Sequence, residues 1–367
     1  MSERIAIKDI CEVYDGPHAT PQKTPEGPVY LGIDAITDDG KINSKEFAHL
    51  SEEDYIKWTK RVTPQYGDIV FSYEATLGRY ALIPKDFYGC LGRRLAIVRN
   101  VSRDIYTLWL YYYFLSPEWK QFIQSKIIKG STVNRISVED FPTYTVPDIQ
   151  LKEQCKIATV LSKIDEKIML NNNVNDNLEQ QMYLIFEDMM AKAVSHKLDG
   201  KYTIAKNLTS IITGKEDANF SVPNGKYKFF TCSNTPLLCN DYIFDTSSIL
   251  IAGNGDFNVK HYSGKFNAYQ RTYVLTPNKD YYALVYLSSL YRINSFKSSS
   301  SGSIVKFITK GDVENIPVFI PNDTSYLHKL DKLIYLQEQI TLENELLVRL
   351  RDWLLPMLMN GQATISD

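Results

Sequence analysis

Two long segments of the chain carry apolar residues at alternating steps of four and three. The first, Leu151 to Met190, contains neither proline nor glycine. Its apolar positions are Ile157, Leu161, Ile164, Ile168, Leu178, Met182, Ile185 and Met189. This narrow stripe is typical of a coiled-coil seam rather than of the broader apolar face of a core helix. The pattern predicts a helix of about 60 Å, which is too long to pack fully on one small domain.

The second segment, His328 to Met359, repeats the first at a constant separation of 172 residues. That separation places its predicted seam at Leu333, Leu336, Ile340, Leu350, Leu354 and Met357. Three identities also recur at this separation, from Glu166, Leu170 and Asn172 to Glu338, Leu342 and Asn344. Shared identities at a shared separation favour an internal duplication over two unrelated amphipathic helices.

Two polar residues, Asn171 and Asn175, interrupt the apolar seam of the first helix, and Glu343 and Leu347 are their equivalents in the second. A polar residue at a seam position costs stability but can fix the register and the partner of a helix. We therefore interpret Asn171 and Asn175 as residues that set helix register.

The segments before the two helices are duplicated as well. GSTVNRISVEDF at residues 130–141 aligns with GSIVKFITKGDV at residues 302–313, again 172 residues apart. Each copy then runs through a short apolar strand to Val146-Pro147 or Ile320-Pro321. The order along the chain is therefore globule, long helix, globule, long helix. The predicted boundaries are 1–150, 151–198, 199–323 and 324–362.

Each globule is predicted to be α+β. Four apolar runs bounded by turn signals are predicted to be strands, namely Ile69–Ser72, Leu95–Arg99, Ile249–Ala252 and Thr272–Leu275. One helix per globule is expected, around Thr107–Ile128 and Tyr281–Ser295.

Composition narrows the class of protein. A chain of 367 residues with 44% hydrophobic content suits two or three ordinary domains. Its five cysteines form no CxxC pair, which favours a reduced protein without a zinc site. A net charge of −2 argues against a globally basic nucleic-acid binder but allows segregated basic surfaces. No apolar run approaches a membrane span, so we expect no membrane association and a cytoplasmic location.

The sequence resembles a known family, the specificity (S) subunits of type I restriction–modification systems. The resemblance rests on the duplicated GS-x-V-x-x-I segment, the strand and proline that follow, and the long helix that begins near Lys152. Tyr66-Gly67-Asp68-Ile69-Val70 is similar to a strand entry of that family, and Asp15-Gly16-Pro17-His18-Ala19-Thr20-Pro21 to a motif of one class of its recognition domains. The second copy, Gly214-Lys215-Glu216-Asp217-Ala218, lacks the His, Thr and Pro, which predicts different targets for the two domains.

The resemblance implies an architecture and a function. Two similar target-recognition domains are separated by two long antiparallel helices that form a coiled coil, as a pseudo-twofold internal repeat. Such a chain is noncatalytic and binds double-stranded DNA at a bipartite site, with one half-site per domain. It docks two modification subunits, which methylate adenine N6 with S-adenosylmethionine, and restriction subunits can join. No cofactor is expected in the chain itself.

Candidate DNA-binding residues are polar or basic side chains in loops beside the predicted strands. In the first domain they are His18, Thr20, Lys23, Arg79, Arg93, Arg94, Ser131, Thr132, Asn134 and Arg135. In the second they are Lys215, Asn254, Lys260, Gln270, Arg271, Ser300, Ser303 and Lys306. Asn pairs well with adenine and Arg with guanine. Residues shared by both copies cannot carry different specificities, so Asn134 and its equivalent Lys306, which differ, are better candidates for specificity. The shared Gly-Ser is equally compatible with a structural turn.

Other classes of function are weaker alternatives. Gly253-Asn254-Gly255 follows a strand as a methyltransferase cofactor loop does, but the first copy has Tyr73-Glu74-Ala75 there. The sequence contains no Asn-Pro-Pro-Tyr or Asp-Pro-Pro-Tyr segment to hold a flipped adenine. We interpret the two glycines as part of a turn or a DNA-facing loop. The alternatives are a self-contained methyltransferase or nuclease with a coiled-coil dimerisation arm, and a structural coiled-coil protein.

Overall fold

The computed structural model describes residues 3–130, 133–255, 257–299 and 307–365, without the side chains of residues 295–299. The chain divides into two compact units, Met1–Ile168 with Leu347–Asp367, and Met169–Leu346. Both units mix helix and sheet, which confirms the predicted α+β class. Within the described ranges, no helix combines the length and apolar character needed to cross a membrane.

The first unit contains an antiparallel main sheet and a smaller mixed sheet. Its strands are β1 (Arg4–Ala6), β2 (Cys11–Asp15), β3 (Thr24–Leu31), β4 (Ala48–His49), β5 (Ile69–Ser72), β6 (Tyr80–Leu82), β7 (Gly89–Leu91), β8 (Leu95–Asn100) and β9 (Thr145–Pro147). Its helices are α1 (Ile7–Ile10), α2 (Glu52–Trp58), α3 (Thr107–Leu115), α4 (Pro117–Ser125) and the first part of α5 (Leu151–Val194). The main sheet has the order β2-β8-β5-β6, a smaller one has the order β4-β3-β7, and β1 pairs with β9. Trp109 and Trp119 share one core with Phe71 of β5 and Leu161 of α5, so the recognition domain packs on the start of the long helix.

The second unit contains a larger sheet. Its strands are β10 (Gly200–Ile204), β11 (Thr209–Thr213), β12 (Tyr227–Phe230), β13 (Leu237–Cys239), β14 (Phe244–Ala252), β15 (Val259–Ala268), β16 (Thr272–Pro277) and β17 (Pro317–Pro321). Its helices are α6 (Tyr282–Ser299), α7 (Lys310–Glu314) and most of α8 (Ser325–Met359). Six strands form one sheet in the order β11-β16-β14-β15-β12-β13, and β10 pairs with β17. Ile249, Leu284, Met182 and Ile334 lie in one core, which joins sheet, α6 and both long helices.

Strand β15 explains why the second unit has one large sheet where the first has two. It pairs antiparallel with β14 along most of its length and parallel with β12 at its carboxyl end. In the first unit these roles belong to two strands, because β6 pairs antiparallel with β5 and β7 pairs parallel with β3. The same pairing pattern in both units supports the internal repeat that the sequence predicts.

One predicted helix is wrong and the predicted strands are nearly right. Strand β5 has the expected bounds, whereas β8, β14 and β16 extend beyond theirs. The single helix expected over Thr107–Ile128 is two helices, because Ser116 has an extended backbone with φ −66° and ψ 152°. Pro117 explains the break, since the residue before a proline avoids the helical region. The helix expected near Tyr281–Ser295 is α6, which continues to Ser299.

The Gly67-Asp68 turn before β5 is a structural feature. Gly67 has φ +85°, a left-handed conformation that favours glycine. Asp68 is 3% exposed and accepts hydrogen bonds from Arg99 Nε at 2.8 Å and Arg99 Nη2 at 2.7 Å. Hydrogen bonding to Asp68 raises the pKa of the Arg99 guanidinium. In the second unit the equivalent positions hold Ser248 and Thr276, whose hydroxyl oxygens are 3.4 Å apart.

Helices α5 and α8 are antiparallel within the second unit. Asn171 donates to Glu343, whereas Asp188, further along α5, accepts a hydrogen bond at 3.1 Å from the hydroxyl of Tyr326, earlier on α8. Residue numbers therefore rise on one helix as they fall on the other, as the resemblance implied.

A polar cluster interrupts this helix pair where equivalent positions of the repeat meet. Asn171 is 4% exposed, and its Nδ2 donates to Glu343 Oε2 at 2.7 Å and to Asn344 Oδ1 at 2.9 Å. The Nδ2 of Asn344 donates to Asn172 Oδ1 at 2.8 Å. Asn171 and Glu343 are 172 residues apart, as are Asn172 and Asn344, so each residue contacts its own repeat equivalent.

The buried face of α5 follows the predicted seam, but that of α8 does not. The predicted seam residues of α5 that are buried are Ile157, Leu161, Ile164, Ile168, Leu178, Met182 and Met189. On α8 the predicted Leu336 and Leu350 are 39% and 43% exposed. Buried instead are four residues that each lie one position after a predicted one, namely Ile334, Gln337, Leu355 and Leu358, and Leu330 is buried as well. Leu330 and Ile334 belong to the core of the second unit, and Leu355 and Leu358 to that of the first. Packing onto the two cores thus decides which face of α8 is buried.

The first unit contains two bidentate Arg–Asp pairs that differ in burial. We expect the more buried pair to contribute more to the free energy of unfolding. Asp68→Ala should lower the free energy of unfolding by about 3 kcal/mol, because Arg99, 20% exposed, loses its partner. Asp38→Ala is the matched control, since Asp38 pairs with Arg79 in the same way but is 82% exposed. We expect it to cost about 1 kcal/mol or less. Urea unfolding followed by circular dichroism measures both, and equal losses would contradict this explanation.

The polar residues Asn171 and Asn175 in the apolar seam should lower the stability of the protein. Asn175 Nδ2 donates to Thr341 Oγ1 at 3.3 Å, but its Oδ1 is buried without a hydrogen-bond partner among the described residues. Replacing both Asn171 and Asn175 with leucine should therefore raise the thermal midpoint by a few degrees. Thermal unfolding at 222 nm tests this, with the exposed Asn173→Leu as control. A midpoint that stays unchanged or falls in the double variant would mean that these two polar residues cost no stability.

Candidate nucleic-acid interface

In the first unit, the residue after β5 joins two other segments through its backbone. The N–H of Tyr73 donates to the carbonyl of Arg94 at 3.1 Å, and the N–H of Ile136 donates to the carbonyl of Tyr73 at 2.8 Å. Glu74 and Arg135 then form an isolated antiparallel bridge. These contacts bring the turn before β8 and the segment after residue 133 to the end of β5.

The second unit repeats this arrangement. The N–H of Gly253 donates to the carbonyl of Arg271 at 2.9 Å, and the N–H of Ile308 donates to the carbonyl of Gly253 at 2.8 Å. Asn254 and Phe307 form the bridge. We call this arrangement the backbone frame. Its side chains are Glu74, Arg93, Arg94 and Arg135 in the first unit, and Asn254, Gln270, Arg271 and Phe307 in the second. Arg93-Arg94 and Gln270-Arg271 therefore occupy equivalent positions in the two units.

An aromatic residue lies at the frame in each unit but comes from different strands. A Cβ on Gly253 would lie 2.6 Å from the carbonyl oxygen of Arg271 and 3.1 Å from Cε2 of Tyr273. The hydroxyl of Tyr273 donates to the carbonyl of Ile308 at 2.9 Å. By strand register, the first unit has Tyr73 and Ala96 where the second has Gly253 and Tyr273. Burial, and then the charge of Asp15, raise the pKa of Tyr73 well above its ordinary value. Gly253 therefore has a packing role, which supports interpreting this segment as a turn.

A polar cleft of 340 Å³ adjoins the frame of the first unit. Its lining residues are Thr20, Lys23, Tyr30, Gly32, Ile33, Asp34, Glu46, Ala48, Arg93 and Arg94. Arg93 is exposed, and within the described residues its guanidinium has no partner. Its backbone N–H donates to the hydroxyl of Tyr30 at 3.1 Å, which fixes the turn. The Nε of Arg94 lies 3.3 Å from Glu74 Oε1. The cleft therefore combines a free cation with hydroxyl, ammonium and carboxylate groups.

The loop with the His18 motif lies beside this cleft. Nε1 of Trp58 in α2 donates to the carbonyl of Ala19 at 3.3 Å and anchors the loop. Thr20 and Lys23 line the cleft. His18 does not line it; its side chain is 63% exposed, with Nε2 at 3.0 Å from Asp15 Oδ2.

A smaller cleft of 200 Å³ lies at the frame of the second unit. It is lined by Gly253, Asn254, Gln270, Arg271, Tyr273, Phe307 and Ile308. Gln270 and Arg271 are exposed, and Phe307 is 61% exposed. Among the described residues, the side chains of Asn254, Gln270 and Arg271 have no hydrogen-bond or ionic partner. Three residues predicted from the sequence thus meet around one cleft.

Other predicted residues lie elsewhere. Arg79 pairs with Asp38 through two bonds of 2.7 and 3.0 Å and donates to the carbonyl of Ile36 at 3.0 Å, which makes it a weaker candidate for DNA contact. Lys260 donates to the carbonyl of Ser233 at 2.6 Å and also to Asn258, away from the cleft lining. Exposed positions near a frame but outside the cleft linings are Asn134, Arg135 and Lys215. Ser131, Thr132, Ser300, Ser303 and Lys306 lie outside the described residues.

The shared glycine of the duplicated segment has a structural explanation. A Cβ on Gly130 would lie 2.2 Å from the carbonyl oxygen of Val133, so only glycine fits there. The shared isoleucines, Ile136 and Ile308, are 1% and 3% exposed and anchor the frame. Gly130 and the two shared isoleucines are therefore part of the scaffold.

Sequence reasoning missed Glu74 and Phe307 as site residues. The separation of 172 residues already aligns Arg135 with Phe307, and that difference between the copies was the available signal. Across the part of the chain that the structure describes, no group of three or more His, Cys, Asp or Glu side chains could hold a metal ion.

Comparison with known proteins identifies the family. The chain is similar to the Type I restriction enzyme EcoDI specificity subunit of Escherichia coli, with 38% identity over 174 residues. This match covers 46% of the chain and 39% of that relative, less than half of its length. It is also similar to the MjaIX specificity subunit of Methanocaldococcus jannaschii, with 24% identity over 98% of the chain and 93% of that protein.

A solved structure shares the fold. The S subunit of the Type-I restriction-modification system from M. genitalium aligns over 99% of this chain and 96% of its own, with a TM-score of 0.59 and 17% identity. The family model for the Type I restriction modification DNA specificity domain matches residues 2–180 and residues 200–348. With two matches that together cover most of the sequence, the chain belongs to the type I restriction modification DNA specificity domain family.

Proposed function

We propose that this chain is the DNA sequence-specificity subunit of a type I restriction–modification complex. Each globular domain reads one half of a bipartite double-stranded target, and the long helices set the gap between the halves. The observation that carries the proposal is the backbone frame, which occurs in both units with different exposed side chains. A common scaffold with different polar groups at its surface is what reading two different half-sites requires.

The partners follow from the same proposal. The chain docks two modification subunits, and restriction subunits join the complex. S-adenosylmethionine and methyl transfer to adenine N6 belong to the modification subunits, and this chain is noncatalytic. Since chromosomal DNA is the ligand, we place the protein in the cytoplasm.

The charge distribution supports DNA binding in spite of a net charge of −2. Arg93 and Arg135 in the first unit and Arg271 in the second are exposed, and each lies at a frame. In the described parts of the chain none of their guanidiniums has an ionic partner. Free guanidiniums in or near a polar cleft suit contact with phosphates and with base edges.

Methylation mapping tests the proposal. Genomic DNA is sequenced for N6-methyladenine from cells that co-express this chain with its modification subunit, and from cells that lack this chain. We expect methylation at a split motif with a fixed gap, present only with this chain. A continuous motif would mean that one domain reads alone, and absence of chain-dependent methylation would overturn the proposal.

The contrast between Arg93 and Arg79 tests the interface itself. Once the motif is known, Arg93→Ala should weaken binding to a target duplex by about 1–3 kcal/mol, the loss expected for one base-reading arginine. Arg79→Ala is the control with the same change of charge, and it should leave affinity nearly unchanged because Arg79 already pairs with Asp38. Fluorescence anisotropy at fixed salt measures both. Equal losses would mean that the removed charge, and not a contact made by Arg93, accounts for the effect.

A further inference from the structure

We propose that three positions of the backbone frame select the base pair that each unit reads. The positions are Glu74, Arg93 and Arg135 in the first unit and Asn254, Gln270 and Phe307 in the second. The first set selects a G·C pair and the second an A·T pair. This inference deepens the proposed function and rests on it.

The first step separates positioning from reading. The frame contains one residue that is identical in the two units, since Arg94 and Arg271 both accept the strand-end N–H through their carbonyls. Identical side chains on equivalent backbones cannot distinguish two half-sites. We assign them to phosphate contact, which positions a protein on DNA without reading sequence. The three remaining positions differ between the units and are available for discrimination.

The second step is the chemistry of the second unit. Asn254, Gln270 and Phe307 line one cleft of 200 Å³. Gln and Asn match the N6–N7 edge of adenine, where an amide both donates and accepts, and an apolar ring can contact the methyl group of thymine. Among the residues that the structure describes, no carboxylate lines this cleft. Amides beside an exposed ring therefore favour an A·T pair.

The third step is the chemistry of the first unit. Arg93 and Arg135 are exposed, and each can present two donors to the O6 and N7 acceptors of guanine. Glu74 is held beside Arg94 by an ion pair of 3.3 Å and can accept a hydrogen bond from N4 of cytosine. Cationic and anionic groups at equivalent backbone positions therefore favour a G·C pair.

A purely structural role does not explain these side chains. The frame is held by backbone hydrogen bonds and by the buried Ile136 and Ile308. Phe307, by contrast, is 61% exposed, although burial of a phenylalanine would be favourable. What distinguishes Phe307 is its place, because its ring lines the same cleft as the free amides of Asn254 and Gln270.

The test exchanges the sets within the full chain. Asn254→Glu, Gln270→Arg and Phe307→Arg are introduced together and singly, and Arg93→Gln is the reciprocal change. Lys201→Gln, an exposed residue on β10, is the matched control. Each variant is co-expressed with the modification subunit, and N6-methyladenine is mapped across the genome. Methylation within the first half-motif reports binding even where the second half-motif loses its own adenine.

The triple variant should change one A·T pair of the second half-motif to G·C and leave the first half-motif and the gap unchanged. The ratio of methylation between the two motifs should shift by about 5- to 150-fold, the discrimination of one bidentate contact. Arg93→Gln should change only the first half-motif, and Lys201→Gln neither. An unaltered motif in the triple variant overturns the inference.

Two further outcomes are distinguishable. If the triple variant methylates nothing, Gln270→Ala decides: relaxed choice at one base pair of the second half-motif supports the inference, and an unchanged motif overturns it. If the unmodified chain itself directs no methylation, the proposed function fails. A split motif in the unmodified chain with no response to any frame variant leaves that function intact and rejects the frame as the reader.

Discussion

Two backbone hydrogen bonds at the end of one strand carry the recognition surface of each unit. Tyr73 and Gly253 each donate to the carbonyl of an arginine and accept from the N–H of a buried isoleucine. Because only main-chain groups take part, the neighbouring side chains can vary without loss of the scaffold. The sequence constraint lies instead on the shared positions, because a side chain at Gly130 would clash with the backbone and the two isoleucines are buried. Residues that keep the backbone arrangement constant are thus adjacent to residues whose side chains differ between the units.

The long helices illustrate how packing overrides a periodic pattern. The seam of α5 is buried as its spacing predicts, yet the buried face of α8 is displaced by one residue. One residue corresponds to a rotation of about 100° around a helix. The cores of both units contribute to this displacement, because Leu330 and Leu358 pack into different clusters. The buried face of α8 is therefore the one that packs into the cores of both units.

Much of the architecture was predictable from the sequence, because duplication made the pattern visible twice. The position of β5 follows from an apolar run bounded by turn signals, the long α5 follows from its apolar spacing, and the repeat gives the order globule, helix, globule, helix. The interruption of the helix at Ser116 was missed, although Pro117 disfavours a helical conformation for the residue before it. Arg79 was predicted to face DNA because no local pattern reveals its distant partner Asp38. Phe307 was missed because a lone apolar residue is usually assigned to the core, and exposure is decided only by the tertiary fold.

The meeting of Asn172 with Asn344, its own equivalent in the second half of the chain, has an evolutionary consequence. A contact between identical positions is isologous, the kind that joins two copies of one chain across a twofold axis. The helix pair therefore has the local chemistry of a homodimer whose two subunits were fused into one polypeptide. Fusion frees each half to diverge, because a substitution in one copy no longer appears in the other. The asymmetry between Glu74 and Asn254, or between Arg135 and Phe307, is of the kind that a symmetric dimer could never acquire.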